Sequence, residues 1–238
     1  MPLSKMAQHK HIDLEFEGEL ERVRERVLLM GAHVEEMLGR AMRAFEENNA
    51  GLARVTIDSD AVVDQLEISI DEACLQILAR RQPVASDLRF VTTTLKLVTD
   101  LERIGDLCVN LCERVIECAE EPPAPRGSSP IPRIATAAHA MLHDALDAFV
   151  AGDLHKAQDV LGRDRLVDAY YAQLFPELVA RMMADPSVVF RSTRLLSIGK
   201  YLERIADHAT NIAEMVVFMV KGEDVRHVDP SNPPPATH

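Results

Sequence analysis

From Phe16 to Ala44, apolar or small residues recur at Phe16, Leu20, Val23, Val27, Met30, Val34, Met37, Ala41 and Ala44, stepping alternately by four and three. That alternation is a heptad seam, the stripe two neighbouring helices bury together. A second helix is predicted from about Leu52 to Gln82-Pro83, with Val55, Val62, Leu66, Ala73 and Ile77 on its apolar face. A third, capped by Ser86 or Asp87, turns Leu88, Val91, Leu95, Val98, Leu101, Cys108 and Val115 toward the core. Three more are expected at about 133–150, 153–184 and 187–221, the last capped by Asp185 with Pro186 in its first turn. Ala, Leu, Glu, Arg and Met favour helix throughout, and strands have nowhere to go. The fold class is all-α.

The pattern repeats. Leu101-Glu-Arg-Ile-Gly-Asp106 recurs as Leu202-Glu-Arg-Ile-Ala-Asp207 at an offset of 101 residues, which also pairs Asn110 with Asn211 and Glu113 with Glu214. Upstream, an offset of 104 pairs Phe45 with Phe149 and Asp60/Asp64 with Asp164/Asp168. Prolines mark the division, since nine of the 13 lie in two patches, Pro122 to Pro132 and Pro230 to Pro235. The expected architecture is two tandem three-helix bundles, 13–121 and 131–222, separated by a proline-rich linker at 122–130 and followed by a flexible tail at 223–238.

Composition narrows the function. With 38 acidic against 26 basic residues the net charge is −12, and no basic cluster stands out. Such a surface repels nucleic-acid phosphates, and aromatics at 4% with no Trp offer no platform for stacking bases. The first twenty residues hold no apolar run, and Met215–Val220 is far too short to cross a bilayer, so neither export nor membrane insertion is expected. Cys74, Cys108, Cys112 and Cys118 lack Cys-x-x-Cys spacing and read as reduced thiols packed in a cytoplasmic protein.

The repeat also duplicates a chemistry. Asp60 and Asp64 with Glu102 and Asp106, then Asp164 and Asp168 with Glu203 and Asp207, put carboxylates four residues apart on two helices of each half. Like charges at this spacing cost a helix a few tenths of a kcal/mol, about 0.2–0.5, so they contribute nothing to folding. Four carboxylates, with Asn110 or Asn211 one turn further on, form an oxygen-rich set suited to Mg²⁺, Mn²⁺, Fe²⁺ or Zn²⁺. A charged stripe is also what an ordinary solvated helix face looks like, so both readings stand at this level. His139 and His143 read as solvated or hydrogen-bonded, and no Glu-x-x-His di-iron signature occurs. No Walker loop, dinucleotide turn or nucleophile elbow is present, and no catalytic residue is assigned.

At the doubled Leu-Glu-Arg-Ile-Gly/Ala-Asp motif the chain resembles the PhoU family. The likeness extends through Glu19-Leu-Glu, Ile70-Asp-Glu-Ala-Cys74, Arg81-Gln-Pro-Val-Ala-Ser-Asp-Leu-Arg89, Met141 to Phe149 and Val220 to His227. The resemblance implies a cytoplasmic, non-enzymatic adaptor between the ATPase of the Pst phosphate transporter and the phosphate sensor histidine kinase. Such a protein negatively regulates the phosphate-starvation response and limits uptake. It further implies a homodimer and divalent metal ions on Glu/Asp-x-x-x-Asp motifs, which match Asp60/Asp64, Glu102/Asp106, Asp164/Asp168 and Glu203/Asp207. Ala206 in place of Gly105 is the one departure within the doubled motif. A metalloprotein acting on phosphoesters at the carboxylates is the alternative.

Overall fold

A computed structural model describes residues 3–121 and 129–223, with side chains from Leu14 onward. Its helices are α1 (Leu3–Glu47), α2 (Ala50–Asp58), α3 (Asp60–Arg81), α4 (Ala85–Ala119), α5 (Ile131–Ala151), α6 (Leu154–Ala184) and α7 (Val189–Lys221). A single 3₁₀ turn, Pro186–Val188, precedes α7, and no strand occurs among the described residues. Most of the proline linker (122–128) and of the tail (224–238) lies outside the described residues.

Turn chemistry sets the boundaries. Asn48 takes a left-handed φ of 53° to end α1, and Asn49 then accepts a hydrogen bond from the Leu52 amide to start α2. Asp153 caps α6 by accepting from the His155 and Lys156 amides, directly after the left-handed Gly152. As expected, Asp185 accepts from the Ser187 amide ahead of Pro186, although one 3₁₀ turn intervenes before α7 proper.

Three expectations are corrected. The second helix is interrupted at Ser59, so α2 and α3 form a broken rod. The break rotates the buried face, which is made of Ala53, Thr56, Val63, Ile70, Cys74 and Ile77, and leaves Val55 at 56% and Val62 at 42% exposure. Helix α4 starts at Ala85 with Val84 at its N-cap, so neither Ser86 nor Asp87 caps it, and Leu88 faces solvent.

α1, the α2/α3 rod and α4 pack as one three-helix lobe, and α5, α6 and α7 as the other. The lobes are fused along α4 against α7, with α1 against α5 beside them. One apolar cluster runs through both, from Val23 and Val27 to Val216 and Val217. Phe90 stacks on Phe149 across the seam with ring centroids 5.8 Å apart. At Gly31 an added Cβ would stand 2.8 Å from Leu146 Cδ1, so α1 approaches α5 as closely as glycine allows.

Candidate metal centre

α3 and α4 bring the first set of carboxylates onto one face. Burial, then the charges of Asp64, Asp106 and Glu102, push the Asp60 carboxyl up to about 6. Glu102 is raised by burial and then by Asp106 and Asp64, with Arg103 and His208 opposing. Asp60, Asp64, Glu102 and Asp106 are therefore near enough to repel one another. Arg103 bridges Glu102 at 3.4 Å and Asp106 at 3.0 Å but is itself more than half exposed. The side chain of Asn110, half-buried one turn on, makes no hydrogen bond among the described residues.

The stripe is longer than sequence reasoning made it. Glu67 and Asp71 continue it along α3, and Glu67 is raised by burial and then by Glu102, Asp71 and Asp64. Asp71 is raised by burial, and its Oδ1 is buried with no hydrogen-bond partner. Both could have been found by extending the helical spacing from Asp60 and Asp64 by two further turns.

α6 and α7 repeat the arrangement with more internal compensation. Asp164 is raised by burial and Asp168, while the Thr210 hydroxyl, donating at 3.2 Å, pulls it back. Asp207 is raised by partial desolvation and then by Glu203 and Asp164. Lys200 sits 2.5 Å from Glu203, and its own pKa is raised mainly by that contact. Tyr171 and Phe175 stand at the offset of 104 where the first lobe has Glu67 and Asp71. Asn211 does not join this set, because it donates to Asp100 Oδ1 at 3.2 Å, the same atom that lies 2.6 Å from His208 Nδ1. Its exposed side chain reaches across to α4 rather than to the carboxylates.

Two observations bear on whether a cation fits the first lobe besides its all-oxygen donor chemistry. Asp71 offers the unpartnered buried oxygen, and Asp60 occupies a cradle that a methyl would invade. An ideal Cβ on Gly105 would stand 3.0 Å from Asp60 Oδ1. Ala206, buried, stands at the corresponding position of the second lobe. As the side chains stand, no three His, Cys, Asp or Glu groups converge on one point among the described residues, so the carboxylates approach one another without forming a closed cage.

All four cysteines are buried free thiols, and burial pushes Cys74 and Cys112 up to about 12. His143 bonds Glu35 across the α1–α5 contact at 2.8 Å, away from the acidic faces. No described helix is long and apolar enough to cross a membrane.

Known proteins resemble this chain over most of its length. The PhoU domain model matches twice, over residues 27–115 and 131–216. A phosphate-specific transport system accessory protein PhoU homolog of Pseudomonas aeruginosa is 42% identical over 226 residues, 95% of this chain and 93% of the relative. The PhoU accessory protein of Escherichia coli K12 is 37% identical over 220 residues, 92% of this chain and 91% of its own. The crystal structure of PhoU from Pseudomonas aeruginosa superposes with a TM-score of 0.84 at 42% identity, covering 87% of this chain and all of that one (100%). That of the phosphate transport system regulatory protein PhoU from Streptococcus pneumoniae gives 0.81 at 30% identity, covering 88% and 99%. With two domain matches, one per lobe, and relatives aligned over nearly their full lengths, this chain belongs to the PhoU family.

Proposed function

We propose that this chain is an accessory regulator of phosphate-specific transport, a cytoplasmic, homodimeric adaptor between the transporter ATPase and the phosphate sensor histidine kinase. It restrains the phosphate-starvation response and uptake when phosphate is plentiful. The observation carrying this reading is the whole-chain match to relatives named as phosphate-specific transport system accessory proteins. The absence of a recognisable nucleophile or phosphate loop in the sequence agrees with work done by contact rather than turnover.

In this reading Asp60, Asp64, Glu67, Asp71, Glu102 and Asp106 hold divalent cations, among Fe, Mn, Mg and Zn, in the first lobe. Asp164, Asp168, Glu203 and Asp207 do so in the second. A bound cation supplies positive charge where carboxylates otherwise repel, and so gives an anion a place on an acidic body. The chain's own part is to hold the oxygens together on two rigid helices per lobe. Copurification tests the adaptor role: the tagged intact chain, expressed in its own host, is expected to retain the transporter ATPase and the sensor kinase. Recovery of neither would contradict it.

A further inference from the structure

The tandem repeat makes each lobe a control for the other, and the two carboxylate faces are unequal. Six acids line the first, Asp60, Asp64, Glu67 and Asp71 on α3 with Glu102 and Asp106 on α4. The second has four, because Tyr171 and Phe175 stand where the repeat would put Glu67 and Asp71.

The oxygens of the second face are also already engaged. Lys200 Nζ lies 2.5 Å from Glu203 Oε2, and the Glu203 side chain is only 13% exposed. The same ammonium stands 5.5 Å from the Tyr171 ring centroid, so contacts from both α6 and α7 hold it. Thr210 donates to Asp164 Oδ1 at 3.2 Å. In the first lobe the counterparts are Thr99, whose hydroxyl bonds the Leu95 carbonyl one turn back, and Val109, which has no donor. Asp60 accordingly accepts no hydrogen bond among the described residues. Arg103 is shared between Glu102 and Asp106, while its counterpart Arg204 makes no ion pair among the described residues. Each face thus carries one paired cation, set against more carboxylates in the first lobe than in the second.

We propose that the two lobes take up divalent cations in order, the first at the lower free concentration, and that Lys200 is the residue holding the second back. This order rests on the cation-binding reading given above and adds a graded response to it. Affinity for a hard cation follows the charge and number of its oxygen ligands. A cation entering the second face must take Glu203 from an ammonium and Asp164 from a hydroxyl. Only Asp168 and Asp207 lack a bonded partner there among the described residues. Lys200 therefore supplies the local positive charge when cations are scarce, and at 47% exposure its side chain has water to move into when one arrives. The chain then has three states, bare, loaded in one lobe and loaded in both, and the last step frees an ammonium on α7.

Tyrosine emission separates the lobes without a mutation, since Tyr170, Tyr171 and Tyr201 all lie on α6 and α7 and the chain has no Trp. The chelator-stripped intact chain is titrated with Mn²⁺, a paramagnetic quencher of nearby rings, while calorimetry follows uptake by both lobes. Two steps at least about tenfold apart in free Mn²⁺ are expected, with tyrosine emission falling only in the weaker one. Glu102→Ala/Asp106→Ala is expected to remove the tighter step. Lys200→Gln is expected to bring the weaker step about tenfold closer and leave the tighter one unmoved. Lys200→Thr, the residue at the first lobe's equivalent position, is a second variant with the same expectation. A single step filling both lobes, emission falling in the tighter step, or a gap unchanged in both Lys200 variants overturns the inference and leaves cation binding in place. No Mn²⁺ uptake at all overturns the cation-binding reading and the inference together.

Discussion

Arg191 donates from Nη2 to the main-chain carbonyl of Cys118 at 2.7 Å, so the first turn of α7 caps the last turn of α4. The relationship is reciprocal. Arg89, near the start of α4, donates from Nε to the carbonyl of Met219 near the end of α7 at 3.1 Å, and Cys118 and Met219 are 101 residues apart. The two helices thus run antiparallel, each placing a cation on the open carbonyls and negative dipole end of the other.

This clasp predicts matched losses. Arg191→Met and Arg89→Met each remove a charge-assisted bond to a helix terminus, and each is expected to cost about 1–3 kcal/mol in urea unfolding. The clasps sit at opposite ends of long helices, so the double variant is expected to lose the sum of the two. A shortfall of more than about 0.5 kcal/mol would show that they are coupled.

Gly105 predicts a substitution that disobeys helix propensity. Ala in place of Gly in a helix interior normally stabilises by about 1 kcal/mol. Here the new methyl would press on Asp60 Oδ1 from 3.0 Å, so Gly105→Ala is expected to gain little or nothing. Calorimetric titration of the chelator-stripped chain with Mn²⁺ is expected to show weaker first-lobe binding in Gly105→Ala and none in Glu102→Ala/Asp106→Ala. Lys200→Thr, which frees Glu203 and installs the counterpart of Thr99, is expected to tighten the second lobe.

The helical class, the repeat, the Asp153 and Asp185 helix starts and the four α3–α4 carboxylates were all legible in the sequence, because periodicity and capping act over a few residues. What escaped depended on longer-range packing. The break at Ser59 follows no Gly or Pro, and the Ser59 hydroxyl donates instead to the Thr56 carbonyl at 2.6 Å, so a helical period carried straight through it turns Val55 and Val62 inward where they in fact face solvent. Asn211 is one turn from Asp207, but the Asp100 carboxylate on α4 captures it. Val84 at the start of α4 carries no capping side chain at all, which local rules do not anticipate.

Asp60 sets a pH dependence with a definite sign. Its carboxyl binds a proton more tightly folded, near 6, than unfolded, near the ordinary 3.8. The stability it contributes is therefore fully present below the unfolded value and lost as pH rises through about 6. Asp164, Glu102, Glu67 and Asp207 are raised in the same direction, whereas Glu19, lowered chiefly by its Arg81 hydrogen bond, acts oppositely. Relative to the parent chain, Asp60→Asn is expected to gain stability between about pH 4 and pH 7 in urea unfolding. A difference that stays flat across that range would contradict the assignment.

The thiols are expected to be silent in the native state. Cys74, Cys108, Cys112 and Cys118 are buried, and burial holds each thiol above its ordinary range. A disulfide-exchange reagent at neutral pH is expected to react only at the rate of unfolding, and to titrate all four in urea.

The most direct measurement of the regulatory role is a phosphate-starvation reporter in the native host at high phosphate, with every copy of this gene removed. Expression is expected to rise without the chain and to return to the repressed level when the intact chain is restored. A reporter that stays repressed in the deletion strain would contradict the assignment of this duplicated helical body as a restraint on the phosphate response.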